Sequence, residues 1–154
     1  IGEPAREAIR ASVGDSVEHG VPPRDAARVI RSSIGLTERD ATAVTNRLVK
    51  LRDEGVENAL DRAEKYAGRL LRRRAQTIAV NEALTASAEG QRQLWQQARG
   101  KGLLTGAERK TLIQSDPCPI CSSMAGEVVG IDEDFSLGLP PFHVNCRCVE
   151  GIVA

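Results

Sequence analysis

Aromatic side chains are almost missing from this sequence: one Trp, one Tyr and two Phe, 3% of 154 residues, with a single Met beside them. A core must therefore come from Ala, Leu, Val and Ile, which favours close helix packing with little bulk per contact. Net charge is also missing, with 21 basic and 21 acidic residues. That balance argues against a dedicated nucleic-acid binder and leaves room only for a local basic patch. No run of about 18 apolar residues occurs, so no membrane-spanning helix is expected. The opening "IGEPAREAIR" has no apolar segment of the secretory type. A start at Ile1 rather than Met suggests a fragment or a processed product.

The first two thirds of the chain carry helical periodicity. Ala5, Ile9, Val13 and Val17 recur every four residues up to Gly20. "PPRDAARVIRSSIG" opens with Pro23 near the first helical position and stops at Gly35. Thr37 followed by Asp40 makes a weak capping box, ahead of a stripe of Ala41, Val44, Leu48 and Leu51 that ends at Gly55. From Val56 to about Gly100 the pattern hardly breaks, through Leu60, Ala63, Ala67, Leu70, Leu71, Ala75 and Ile78. A seam of small residues follows, Ala79, Ala83, Ala86, Gly90, Leu94 and Ala98, suited to a close neighbour in an intramolecular bundle or to a partner helix. Gly68 and Gly90, each costing about 1 kcal/mol relative to Ala in a helix interior, are the points where that long helix could break.

After "GKGLLTG" the helical period disappears. "KTLIQS", "GEVVGI" and "CVEGIVA" read as short strands. The expectation is an α+β chain, mostly α: a helical region over 1–100 with a long helix, then a small β-rich Cys/His module over 101–154 with a zinc site.

The chemistry is concentrated at that end. Cys118-x2-Cys121 is followed by His143-x2-Cys146-x-Cys148. A CxxC turn brings two thiolates to one ion, and zinc takes four such ligands, at about 2.3 Å for sulfur and about 2.0 Å for nitrogen. Tetrahedral angles then set bound sulfurs roughly 3.8 Å apart. A small module with almost no aromatic core gains from such a staple. Five candidates compete for four positions. In an extended "CRC", Cys146 and Cys148 would lie roughly 6.5 Å apart along the strand, too far for joint binding unless the chain bends. The favoured set is Cys118, Cys121, His143 and Cys146, with Cys148 as alternate; an all-cysteine set without His143 competes. Two disulfides and a catalytic Cys–His pair remain alternatives, the first disfavoured by the lack of an export signal.

These residues carry a resemblance. From Arg74 to Cys148 the chain resembles the phage head morphogenesis domain, the family of minor head proteins like protein F of phage Mu. Its helix element is matched by "RAQTIAVNE" at Arg74, Ala75, Ile78, Ala79 and Glu82, with Val80 and Asn81 in place of the usual Arg-Thr. "DPCPICSSMAG" matches the second element at Asp116, Cys118, Cys121 and Gly126. "PPFHVNCRC" matches the closing element, with Val144 in place of a Pro. The Trp that usually precedes the Asp is missing: Leu112 stands in that neighbourhood and Trp95 lies upstream. The segment "GVPPRDAARVIRSSIGLTERDATAV" is similar to the usual preceding part, more loosely.

The resemblance implies a non-enzymatic minor capsid protein of a tailed phage or prophage, assembled in the bacterial host cytoplasm and carried in the head interior of the virion. Its implied partners are the portal or the major capsid protein and packaged DNA, with no membrane. Some relatives carry a following toxin domain; with six residues after Cys148, none is expected here.

Two other functions compete. "PCPIC" is similar to half of the zinc deaminase signature, but the upstream His19 has Val21 where the general acid/base Glu is required. Glu82 has no paired acid for catalysis. A DNA-binding module could use Arg69, Arg72, Arg73 and Arg74, with Arg62 and Lys65 nearby, against the alternative of a solvated helix face helped by Asp61 and Glu64.

Overall fold

The computed structural model describes residues 3–115 and 118–153. Asp116, one of the motif matches, lies outside the described residues. The chain runs through α1 (Glu3–Glu18), α2 (Pro23–Ser33), α3 (Glu38–Asp53), α4 (Ala59–Gly100), β1 (Arg109–Ile113), α5 (Pro119–Ser122), β2 (Val128–Gly130) and β3 (Val149–Val153). It is an α+β chain, mostly α, with a long helix and a small C-terminal sheet. Helix gives way to strands after Gly100, while compact packing divides the chain into residues 1–80 and 81–154. No helix among the described residues is long and apolar enough to cross a membrane.

The helix ends follow from local chemistry. Pro23 occupies the first turn of α2, where its missing N–H costs nothing. The Asp40 N–H donates to the Thr37 hydroxyl at 3.1 Å, so the capping pattern in the sequence is a formed cap. At the end of α3, Gly55 takes φ 68°. Its N–H donates to the Arg52 carbonyl at 2.9 Å and that of Val56 to Leu51 at 3.0 Å, the two bonds of a Schellman motif. Gly102, at φ 71°, ends α4 with the same pair of bonds, to Arg99 and from Leu103 to Ala98. α4 itself spans 42 residues and passes through Gly68 and Gly90 without a break.

The first unit packs Ile9 and Val13 of α1, Ala26, Ala27 and Ile30 of α2, Ile34, and Ala75 and Ala79 of α4 into one core, flanked by Leu71 and Ile78. Val17 does not join it and is 54% exposed. Steps of four residues advance about 40° past a full helical turn, so the stripe drifts off its face within three steps. Ala41 and Leu60 are likewise exposed, and in α3 only Leu51 is fully buried.

In the second unit the strands form an antiparallel sheet of order β2-β1-β3. Lys110 pairs with Ile152 and Leu112 with Glu150. Lys110 and Leu112 share the buried face of β1, as the period of two requires. The small-residue seam of α4 is partly covered: Ala83, Ala86 and Ala98 are half-buried, Gly90 and Leu94 exposed.

Candidate metal centre

Two short segments carry the Cys/His cluster. Cys118 caps α5 in an extended conformation, with Pro119 at the first helical position. The Ser122 N–H donates to the Cys118 carbonyl at 2.8 Å and closes the turn that points both cysteines of the CxxC the same way. The Cys121 backbone N–H, and after it that of Ile120, bonds to the Cys118 sulfur and holds its thiol below the usual cysteine range. Thiolate stabilisation by backbone N–H groups is what a metal-binding turn needs. The Gln114 amide donates to the Cys121 carbonyl and ties the turn to the end of β1.

The second segment is "HVNC". Asn145 sits at φ 60°, a left-handed conformation that Asn tolerates, and the Cys146 N–H reaches back to the His143 carbonyl at 3.1 Å. The His143 Nδ1 lies 3.0 Å from the Val144 carbonyl. A carbonyl can only accept, so Nδ1 carries the proton and Nε2 presents its lone pair to the cluster. That same bond to Val144 raises the His143 pKa above its ordinary value.

Nε2 of His143 lies 3.1 Å from the Cys118 sulfur and 3.2 Å from the Cys121 sulfur. The Cys121 and Cys146 sulfurs are 3.8 Å apart. That matches the spacing of roughly 3.8 Å for two sulfurs on one tetrahedral ion and is far from a bonded pair at about 2.05 Å. All four cysteines are free thiols. The donor atoms of Cys118, Cys121 and His143 lie within 4.8 Å of one another, and so do those of Cys121, Cys146 and Cys148. Cys121 is common to both triplets. The extended-strand spacing expected for Cys146 and Cys148 does not apply: both precede β3, and their sulfurs converge.

The surroundings are dry. Cys121 and Cys146 are each 1% exposed, packed with Leu112, Met124 and Phe135 and flanked by Val129 and Phe142. Phe135 and Phe142 meet edge to face at 6.5 Å. Burial foremost pushes the Cys121 thiol up, and burial does the same to Cys148. Burial also raises Cys146, but backbone bonds from Cys148 and Phe142, with the neighbouring Cys121 and Cys148 thiols, together outweigh it and leave that thiol lowered. The site is a largely buried group of thiols with one imidazole at its edge. Its soft sulfurs and one imidazole nitrogen fit a thiophilic cation.

Beside the cluster lies a group the sequence reading missed. The Glu150 carboxylate, fully buried, takes Lys110 Nζ at 2.8 Å on one oxygen and Arg92 Nε at 2.7 Å on the other. Arg92 also donates to the Pro140 carbonyl at 2.8 Å, and Gln91 to the Glu150 carbonyl at 2.8 Å. The strand parity that puts Lys110 on the same face as Leu112 was the available signal.

The arginines proposed for DNA are not one free cluster. Arg74 donates to the Gly35 carbonyl, and Arg69 lies over the Tyr66 ring at 5.7 Å, as Arg47 does at 5.2 Å. Arg72 and Arg73 are exposed. His19 is engaged by Asp15 of its own helix, through the carbonyl at 2.9 Å and the carboxylate at 3.3 Å.

Fold and site together define a mostly helical protein that ends in a knuckle of cysteines and one histidine able to hold a metal ion. The family described as Phage Mu protein F like protein matches residues 7–150, nearly the whole chain, and this chain belongs to that family. Neither a curated protein nor a solved structure matches it.

Proposed function

We propose that this chain is a non-enzymatic minor head protein of a tailed phage or prophage, assembled in the host cytoplasm and retained in the head, where it contacts the portal or the major capsid protein. The observation that carries the reading is the family match across residues 7–150. The non-enzymatic part is supported by the cluster itself, because backbone N–H groups and a carbonyl aim its thiols and its imidazole at one another, as in a structural metal site.

The proposed ion is zinc, held by Cys118, Cys121, His143 and Cys146, with Cys148 as the alternate ligand. Bound there, it would lock the two cysteine-bearing turns together and contribute folding free energy to a small module. Protein purified under reducing conditions should carry about one zinc per chain. Cys148→Ser should keep it and Cys146→Ser should lose it; the reverse outcome would transfer the fourth position to Cys148.

The function is tested on particles. Mass spectrometry of purified heads and of isolated portal complexes should find the chain in both. Its absence from both, together with turnover of a small substrate, would overturn the reading. A head protein shares the capsid interior with packaged DNA, which keeps DNA contact in play as a second reading.

A further inference from the structure

Net charge is zero, so any concentration of one sign is a matter of placement. One such concentration lies in the first unit, on α2. Arg24, Arg28 and Arg31 are spaced by four and three residues and so share one face of the helix. The opposite face is the buried one, through Ala26 and Ile30, with buried Ala27 at the border between the two. Arg72 of α4 faces the same groove. The groove, of about 180 Å³, is lined by Arg24, Ala27, Arg28, Arg31, Arg72 and Gln76. Four arginines line it, and no acidic residue is among the lining residues.

Asp25 lies 3.9 Å from Arg24 and 3.5 Å from Arg28, and Arg72 also borders a neighbouring cleft lined by Asp61 and Glu64. Among the described residues, Arg31 and Arg72 have no carboxylate partner. Like charges three and four residues apart on a helix repel. Within a neutral chain such a set is a cost to folding that an anionic ligand would offset.

We propose that this groove, which takes only Arg72 from the Arg69–Arg74 run, binds the phosphate backbone of duplex DNA. Three features select that ligand. Guanidinium forks bind phosphate oxygens in pairs. Arg24 to Arg31 covers seven residues, about 10.5 Å of helix at a rise of about 1.5 Å each, close to three nucleotide steps of about 3.4 Å along one strand. No aromatic ring lines the groove, so it offers neither the stacking surface of a single-strand binder nor the aromatic anchor of a protein hot spot. The contact is independent of sequence. It rests on the head-protein reading only for which DNA the chain meets.

The test is equilibrium binding of the whole chain to a labelled duplex of arbitrary sequence, between about 50 and 200 mM salt. The unaltered chain should bind with a steep inverse dependence on salt. The double variant Arg31→Gln with Arg72→Gln should weaken binding on the order of tenfold or more and shallow the log–log slope by about 2, one for each lost phosphate contact. Lys50→Gln, on α3 and outside the groove, should change neither, and circular dichroism should be the same for all three proteins. An unchanged slope in the double variant would sink the proposal. So would binding of poly-glutamate in place of DNA, with loss of that binding in the variant, since it would mark the groove as an acidic-protein site. Incorporation into heads is read separately. A chain present in heads whose DNA slope ignores the double substitution loses the groove and keeps the head role. A chain absent from heads whose slope falls keeps the groove and loses the head role.

Discussion

Residues 1–80 and residues 81–154 use different physics to hold a shape. The first unit buries Ile9, Val13, Ile30 and Ile34 among alanines and caps its helices with Thr37, Pro23 and Gly55. Its stability is spread over many small apolar contacts, each worth little alone. The second unit buries four sulfur-bearing side chains, Cys121, Met124, Cys146 and Cys148, with Leu112 and Phe135, and beside them a carboxylate with two cations. Its stability is concentrated in two polar centres. Distributed apolar packing degrades gradually under substitution. Concentrated polar chemistry fails at once when a member is removed, because what remains is buried and unmatched.

The sharpest way to break the comparison is to remove the proposed ion. Structural zinc in small domains contributes about 10 kcal/mol or more. Chelation, or Cys121→Ser, should therefore abolish amide protection over 101–154 and leave that of α1 to α3 intact. Equal loss in both units on hydrogen exchange would erase the distinction.

Next in size is the carboxylate. Glu150→Gln leaves Lys110, whose side chain is 3% exposed, without a full counter-charge. The expected loss is about 3–5 kcal/mol, read by denaturant melts of zinc-loaded protein. Adding Lys110→Met should recover most of it, since an apolar pair of similar volume is often as stable as a buried ion pair. No recovery would mean that Glu150 acts through Arg92 rather than through Lys110.

In the first unit, Ile30→Ala should cost about 2–5 kcal/mol by leaving a cavity at a residue that is 1% exposed. Zinc content should not change. Thr37→Ala removes the cap of α3 and should cost about 1 kcal/mol. A larger effect there would show more cooperativity in this unit than its distributed packing implies.

The smallest expected effect is a pH dependence at Glu108. The Thr105 N–H foremost, with its own N–H and that of Gly106, holds this carboxylate ionised, lowering its pKa from 4.5 to about 2. A folded-state pKa below the unfolded one contributes stability that is complete above about 4.5 and is lost as pH falls toward about 2. Acid titration of Glu108→Gln should show a flatter loss across that window than the unaltered chain. Parallel curves would mean that the loop before β1 does not depend on its acid.

Much of this was legible from residues alone, for a reason that differs by region. Helix caps depend on neighbours within about four residues, so Pro23, Thr37 and Gly55 announced their roles. The three strands also fell where the helical period disappears and glycines and prolines become frequent. The five metal-ligating candidates could be named because Cys and His are rare in this chain and CxxC is a local geometry. Illegible were the limits of the apolar stripes, such as Val17 and Leu60, since which part of a drifting helical face is covered depends on where the neighbouring helices lie.

The composition, the ends of the helices, the five candidate metal ligands and the family resemblance all follow from chemistry within a few residues of each position, and the sequence by itself determines them. Tertiary structure alone decided three things. It brought Cys148 to Cys121 and Cys146, because residues 146–148 lie outside any strand and are free of the extended spacing that would have kept them apart. It paired Glu150 with Lys110 and Arg92, 40 and 58 residues away, a match no local pattern encodes. And it gathered Arg72 with the arginines of α2 while drawing Arg74 to Gly35, because charge follows the fold's surface and not the order of the chain.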